Sequence, residues 1–167
     1  MGNINDIRST PFLGYYAPNP SARHIGIVEA GGHKEMTAAH ELGHFLDDKG
    51  LPSKGMSSVA HKDLQGWRLA AFNSESYQTL ERLNTLTTDR EFKAHLKYLI
   101  EPEEVWARSY AQYIAVKSGS NKTLGQLDRL RHVDAKRINI PRQWPDADFE
   151  AISASIDELF IKIGWIE

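Results

Sequence analysis

Apolar and polar residues recur along this chain with two periods, a strand period near the N-terminus and a helical one after it. Phe12–Tyr16 is aromatic and apolar, Ala17-Pro18-Asn19-Pro20-Ser21 supplies turn chemistry, and Arg23–Glu29 places Ile25 and Ile27 on one face. That pattern predicts a β-hairpin. The helical period begins between Lys34 and Thr37 and ends near Lys49-Gly50, where the glycine is a stop signal and Pro52 lies beyond. Residues 50 to 58 read as a loop. Residues 59 to 84 read as helical but polar, with Trp67, Leu69, Phe72, Tyr77 and Leu80 as the apolar positions. Thr88-Asp89 looks like a cap for a helix carrying Phe92, Leu96, Leu99 and Ile100, which stops before Pro102. Pro102 suits the first turn of the next helix, which runs through Ala115. A polar turn at Lys117–Asn121 then precedes a short helix from Leu124 to Val133, holding Leu127 and Leu130, and an irregular stretch reaching Ile140 and Pro141. The last helix, from about Asp146 to Ile163, gathers Phe149, Ile152, Ile156, Leu159, Phe160 and Ile163 on one face. The expected fold is a single α+β domain over residues 1–167, mostly helical, with a small N-terminal hairpin or sheet. Residues 1–11 are polar and expected to be loosely attached.

Composition narrows the chemistry. A chain of 167 residues is long enough to bury a core without staples, and it contains no cysteine. Thiolate nucleophiles, disulfides and cysteine-ligated metals are therefore excluded, and any metal ligand must be His, Asp or Glu. Lys and Arg number 20 against 22 Asp and Glu, interleaved without long blocks, so no basic footprint for nucleic acid or an anionic membrane is present. No stretch approaches the roughly 20 apolar residues of a membrane span, and the N-terminus lacks the apolar region of a secretory signal. A soluble protein is expected, cytoplasmic or, if excised from a larger protein, borne by a phage or toxin.

The segment Thr37–Asp48 contains His40-Glu41-Leu42-Gly43-His44. Histidines four residues apart lie about 40° from each other around a helix, so both imidazoles reach one ion. Glu41, roughly 100° further round, can take a proton from a water on that ion without occupying a ligand position. The flanking Ala38, Ala39, Phe45 and Leu46 make the helix a buried one. Two histidines and a glutamate buried without a partner would cost several kcal/mol, which a metal offsets.

A third ligand is needed. No histidine stands six residues after His44, which excludes the zinc peptidases that place one there. In the helix after Pro102, positions three, seven and eleven residues beyond Glu104 are Ala107, Ala111 and Ala115, a stripe of small side chains that permits close helix approach. Glu103 lines up instead with the bulky Trp106, Tyr110 and Ile114. Glu104 is therefore the expected third ligand, with Asp47 as its competitor or as the carboxylate that orients a ligand imidazole. For an oxyanion donor Tyr98 leads, with Tyr110, Tyr113 and His24 behind it. His33, His61, His95 and His132 have no ligand spacing and are expected to be surface or satisfied histidines.

The sequences AHELGHFLDD and, about sixty residues later, EPEEVWARSYAQYI resemble the glutamate-liganded zincin metallopeptidases, in particular the anthrax lethal factor-like catalytic domains and the metallopeptidase domains of phage-associated polyvalent proteins. The resemblance implies a zincin-like fold, one zinc ion on His40, His44 and Glu104, Glu41 as general base, and a tyrosine shortly before the third ligand. Tyr98 is one residue nearer to Glu104 than the usual spacing. The function so implied is a zinc endopeptidase acting on a protein or peptide, bound beside strand 23–29. Two alternatives stand: a non-catalytic zinc-stabilised module of a phage or toxin protein, and a repressor-cleaving peptidase of a mobile element.

Overall fold

The structure is a computed structural model and describes residues 14–17, 24–27, 32–51, 55–134 and 140–167. Strands β1 (Gly14–Ala17) and β2 (His24–Ile27) pair antiparallel, Tyr16 opposite Ile25, as the hairpin pattern predicts; its turn and the outer residues of both expected strands lie outside the described residues. The rest is helical: α1 (Lys34–Phe45), α2 (Ser57–Ala60), α3 (Gln65–Phe72), α4 (Glu75–Leu86), α5 (Arg90–Leu99), α6 (Pro102–Ser118), α7 (Asn121–Arg129) and α8 (Asp146–Lys162). A mostly helical α+β domain with a small two-stranded sheet is what the hydrophobic pattern indicated. No helix among the described residues is long and apolar enough to cross a membrane.

Helix α6 is the axis of the body. Eleven of its residues, from Glu104 to Ala115, are buried, because it is apolar or small on nearly every side. Trp106 and Tyr110 face the main core with Trp67, Val105, Phe149, Ile152 and Ile156, while Ala111 and Ala115 meet Met36 and Leu127 on the other side. Its predicted start holds, with Pro102 in the first turn, and Gly119 at φ 60° ends it in the left-handed region.

Helix α1 packs along the Ala107–Ala111–Ala115 stripe. The approach is close enough that a methyl group on Gly43 would stand 2.9 Å from Ala107 Cα and 3.3 Å from Tyr110 Cβ. Trp106 Nε1 donates to the Gly43 carbonyl at 3.0 Å, fixing the register of the two helices in a buried setting. On its other side α1 carries β1, where a side chain on Gly14 would collide with Thr37 Cγ2 at 2.6 Å.

The first helical run ends at Gly50, as the pattern predicts, but the form of its last turn and the stretch 59–84 differ from it. The regular turns of α1 end at Phe45, and Leu46–Gly50 widens into a π turn closed by Leu51 N donating to the Leu46 carbonyl at 2.9 Å. The cause is local: Asp47 and Asp48 are both turned inward, Asp47 to Ser58 and Asp48 to the Tyr16 hydroxyl. The polar stretch 59–84 resolves into a short turn, α3 and α4, broken at Ser74. Ser74 Oγ accepts from Tyr77 N, and Asp148, at the start of α8, accepts from the backbone N–H groups of Glu75 and Ser76. A cap supplied from 72 residues away leaves no local pattern.

Gly43→Ala is expected to destabilise the fold by about 1–3 kcal/mol through overpacking against α6, whereas Gly125→Ala, in the exposed middle of α7 with open space around it, should stabilise by about 0.5–1 kcal/mol. Thermal unfolding of the two variants beside the parent checks the opposite signs.

Candidate functional site

The facing surfaces of α1 and α6 carry the site. His40 and His44, one turn apart on α1, bring their Nε2 atoms to 3.2 Å with the rings edge-on at 88°. Glu104, in the first turn of α6, places Oε2 3.4 Å from His40 Nε2 and 3.6 Å from His44 Nε2. Four-coordinate zinc, with ligand bonds of about 2.0–2.1 Å, separates its donor atoms by about 3.3–3.4 Å. Three atoms of this chain thus already stand at the corners of one tetrahedral face. Glu104 Oε2 is also buried with no hydrogen-bond donor in bonding geometry, a costly state for a carboxylate oxygen unless a cation meets it. The donor set of two imidazoles and one carboxylate fits a single divalent ion.

Comparisons with protein-family models, curated proteins and solved structures returned no match.

Access is one-sided. The His40 and His44 side chains keep 19% and 18% exposure while Glu104 keeps 5%, so the cluster opens toward solvent on the α1 side and is closed beneath. Glu41 is 6% exposed and lies against β1, where the Tyr16 backbone N–H bonds to its carboxylate. Burial pushes the Glu41 carboxyl above the usual range, reinforced by the Glu104 charge and opposed by His40, His44 and that Tyr16 bond. Burial acts the same way on Glu104, but there the two imidazoles and Arg108 prevail and hold the carboxyl well below its ordinary value. His40 is the complement: burial lowers it, and the Glu104 and Glu41 charges outweigh burial and raise it.

Tyr98 belongs to the last turn of α5 and reaches the same cluster. The residue is 45% exposed, but desolvation of its hydroxyl end and the nearby Glu104 and Glu41 carboxylates push the phenol well above the usual range, so it keeps its proton. The runners-up do other work. Tyr110 is stacked near Trp106 and edge-on to Phe160 in the core, and Tyr113 donates to Asp157 of α8 at 2.8 Å. His24 shares a hydrogen bond with the Tyr15 hydroxyl on the exposed side of the hairpin.

Asp47 is fully buried, and its two oxygens accept from Ser58 N at 2.6 Å and Ser58 Oγ at 2.5 Å. Its hydrogen bonds therefore hold α2 against the π turn and not a ligand imidazole. Of the remaining histidines, His61 accepts from Asp63 N and His132 sits exposed beside Asp128. His95 departs from expectation: its Nε2 is buried without a partner, and burial together with the Arg142 charge lowers its pKa below the usual histidine value.

Sequence reasoning missed Arg108. One turn beyond Glu104 on α6, it is 6% exposed, with Nε 3.7 Å from Glu104 Oε1. The signal was present as a Glu–Arg pair at i, i+4, the better orientation for a helical ion pair, but such pairs are commonplace on surfaces.

Asp47→Ala should cost about 1–3 kcal/mol, because the Ser58 N–H loses its buried acceptor, while metal stoichiometry measured by elemental analysis stays at the parent value. His44→Ala should instead abolish metal uptake with the fold intact. Loss of the metal in Asp47→Ala would return Asp47 to the ligand set.

Proposed function

We propose that this protein is a zinc-dependent endopeptidase, a zincin-like metallopeptidase whose single ion is held by His40, His44 and Glu104. The observation that carries the reading is the spacing of 3.2, 3.4 and 3.6 Å among the three donor atoms, with Glu41 beside them on α1 and Tyr98 nearby on one further element, α5.

His40, His44 and Glu104 would hold a zinc ion, which when bound would supply a water with its pKa lowered to about 7 and polarisation of a substrate carbonyl. Glu41 takes the proton from the attacking water at its carboxylate and hands it to the departing amine nitrogen, so the C–N bond breaks as a neutral amine leaves. The β1 backbone, through Tyr16 N–H, holds the Glu41 carboxylate in place for both transfers. Tyr98, protonated at neutral pH, donates its hydroxyl hydrogen to the carbonyl oxygen as negative charge develops there. An extended peptide would lie along the hairpin, whose two strands pair only with each other among the described residues and so keep backbone groups available at the edge. Of this binding strand, residues 24–27 are described and its outer residues are not.

Supporting a catalytic role over a purely structural zinc clamp is the buried Glu41, which contributes no ligand atom to the triad. A clamp would have no need for a buried carboxylate beside the ligand triad that is not itself a ligand.

Glu41→Gln should abolish cleavage of a peptide library while retaining one zinc per chain. Tyr98→Phe should lower kcat by about 10²–10³-fold with KM little changed, the size of a lost oxyanion donor. Undiminished cleavage by Glu41→Gln contradicts the mechanism. Stripping zinc with a chelator should stop activity, and re-addition should restore it.

A further inference from the structure

Arg108 has no part in the chemistry described above, yet it is the most completely enclosed cation in the molecule's described part. Its Nη1 donates to the Arg142 carbonyl at 3.2 Å and its Nη2 to the Leu99 carbonyl, and the guanidinium lies over the Trp144 ring at 5.3 Å. Trp144 is itself immobilised: its backbone N–H and carbonyl pair with the Gln112 side chain, and its indole N–H donates to Ser74. Three anchors therefore leave the guanidinium one unsatisfied edge. That edge, Nε, has no hydrogen-bond acceptor in bonding geometry and stands 3.7 Å from Glu104 Oε1.

A carboxylate has two equivalent oxygens, and a ligand carboxylate must be told which one to present. Rotation about its last torsion is soft, so the choice rests on neighbours. In Glu104 the oxygens have different surroundings: Oε1 faces the fixed positive charge, and Oε2 faces the two imidazoles without a donor of its own. A buried ion pair is weak support for stability, since an apolar pair of similar volume serves the core equally well. Its retention here calls for a reason of geometry. Carboxylate ligands whose free oxygen is held by an outer partner keep their orientation, and loss of that partner weakens metal binding.

We infer that Arg108 is a positioning residue for the metal ligand Glu104: held by Trp144, Leu99 and Arg142, it captures Oε1 so that Oε2 alone is presented to His40 and His44. This rests on the reading of the triad as a metal site. A lysine in its place would keep the charge but lose the planar fork that holds both carbonyls while Nε faces Oε1.

Zinc titration against a competing chelator tests it, with R108Q and R108K beside the parent chain and with E104Q and the E104Q/R108Q double variant. The zinc dissociation constant of R108Q should rise about 10–100-fold, and R108K, which keeps the charge and covers the case in which R108Q does not fold, should show at least a several-fold rise. In the E104Q background R108Q should add less than about a two-fold change, because the partner it acts through is gone. Crystals of metal-free R108K should show Oε2 displaced from the two Nε2 atoms. Parent-like zinc affinity in R108Q or R108K, or losses that add in full in the double variant, would overturn the Arg108 role and leave the peptidase reading standing. A parent chain that binds zinc but cleaves nothing overturns the peptidase reading and leaves Arg108 in place. A parent chain that binds no zinc overturns both.

Discussion

The site depends on how closely α1 and α6 approach. A ligand set drawn from two helices is only as good as the distance between their axes, and here that distance is set by the absence of a side chain at Gly43 and by the small size of Ala107 opposite it. With any larger pair, Glu104 would retreat from His40 and His44 and the donor triangle would open. The Trp106 indole, donating to the Gly43 carbonyl, adds a directional bond that fixes where along the helix the approach occurs. Packing sets the separation and one hydrogen bond sets the register.

Around that contact the molecule concentrates polar groups in places where apolar ones would be simpler to bury. Asp47 fixes the π turn through Ser58, Gln112 clamps Trp144, and Ser74 receives both a helix-capping bond and the Trp144 indole. Each is satisfied, as buried polar groups must be, and each gives the core one arrangement where hydrophobic packing alone would tolerate several. Among the described residues the exceptions include two atoms of the site, Glu104 Oε2 and Arg108 Nε, and others far from it, such as Asn84 Oδ1, Arg131 Nε and Gln143 Oε1.

Much of this was legible from residue order. The i, i+4 histidines, the intervening glutamate and the alanine stripe behind Glu104 are patterns of a single helix, and helical geometry turns them into positions without further knowledge. The core face of α8 followed for the same reason, and the hairpin from its strand pattern and turn residues. What could not be read depends on contacts between distant residues. Asp47 had the spacing of a ligand or its support, but Ser58, brought round by a loop, claimed both of its oxygens. The break at Ser74 is sealed by Asp148, and Arg108 became significant only once Trp144 and the Leu99 carbonyl closed around it. Tyr98 lay between these cases: its spacing was one residue off the pattern, and only the placement of α5 brings the phenol to Glu104.

The most direct measurement is anomalous diffraction at the zinc edge from crystals of the zinc-loaded protein. The account predicts one peak within about 2.0–2.2 Å of His40 Nε2, His44 Nε2 and a single Glu104 oxygen, with the remaining coordination position facing solvent beside Glu41. A peak elsewhere, a site closed by a fourth protein ligand, or Glu104 turned away from both imidazoles would contradict it.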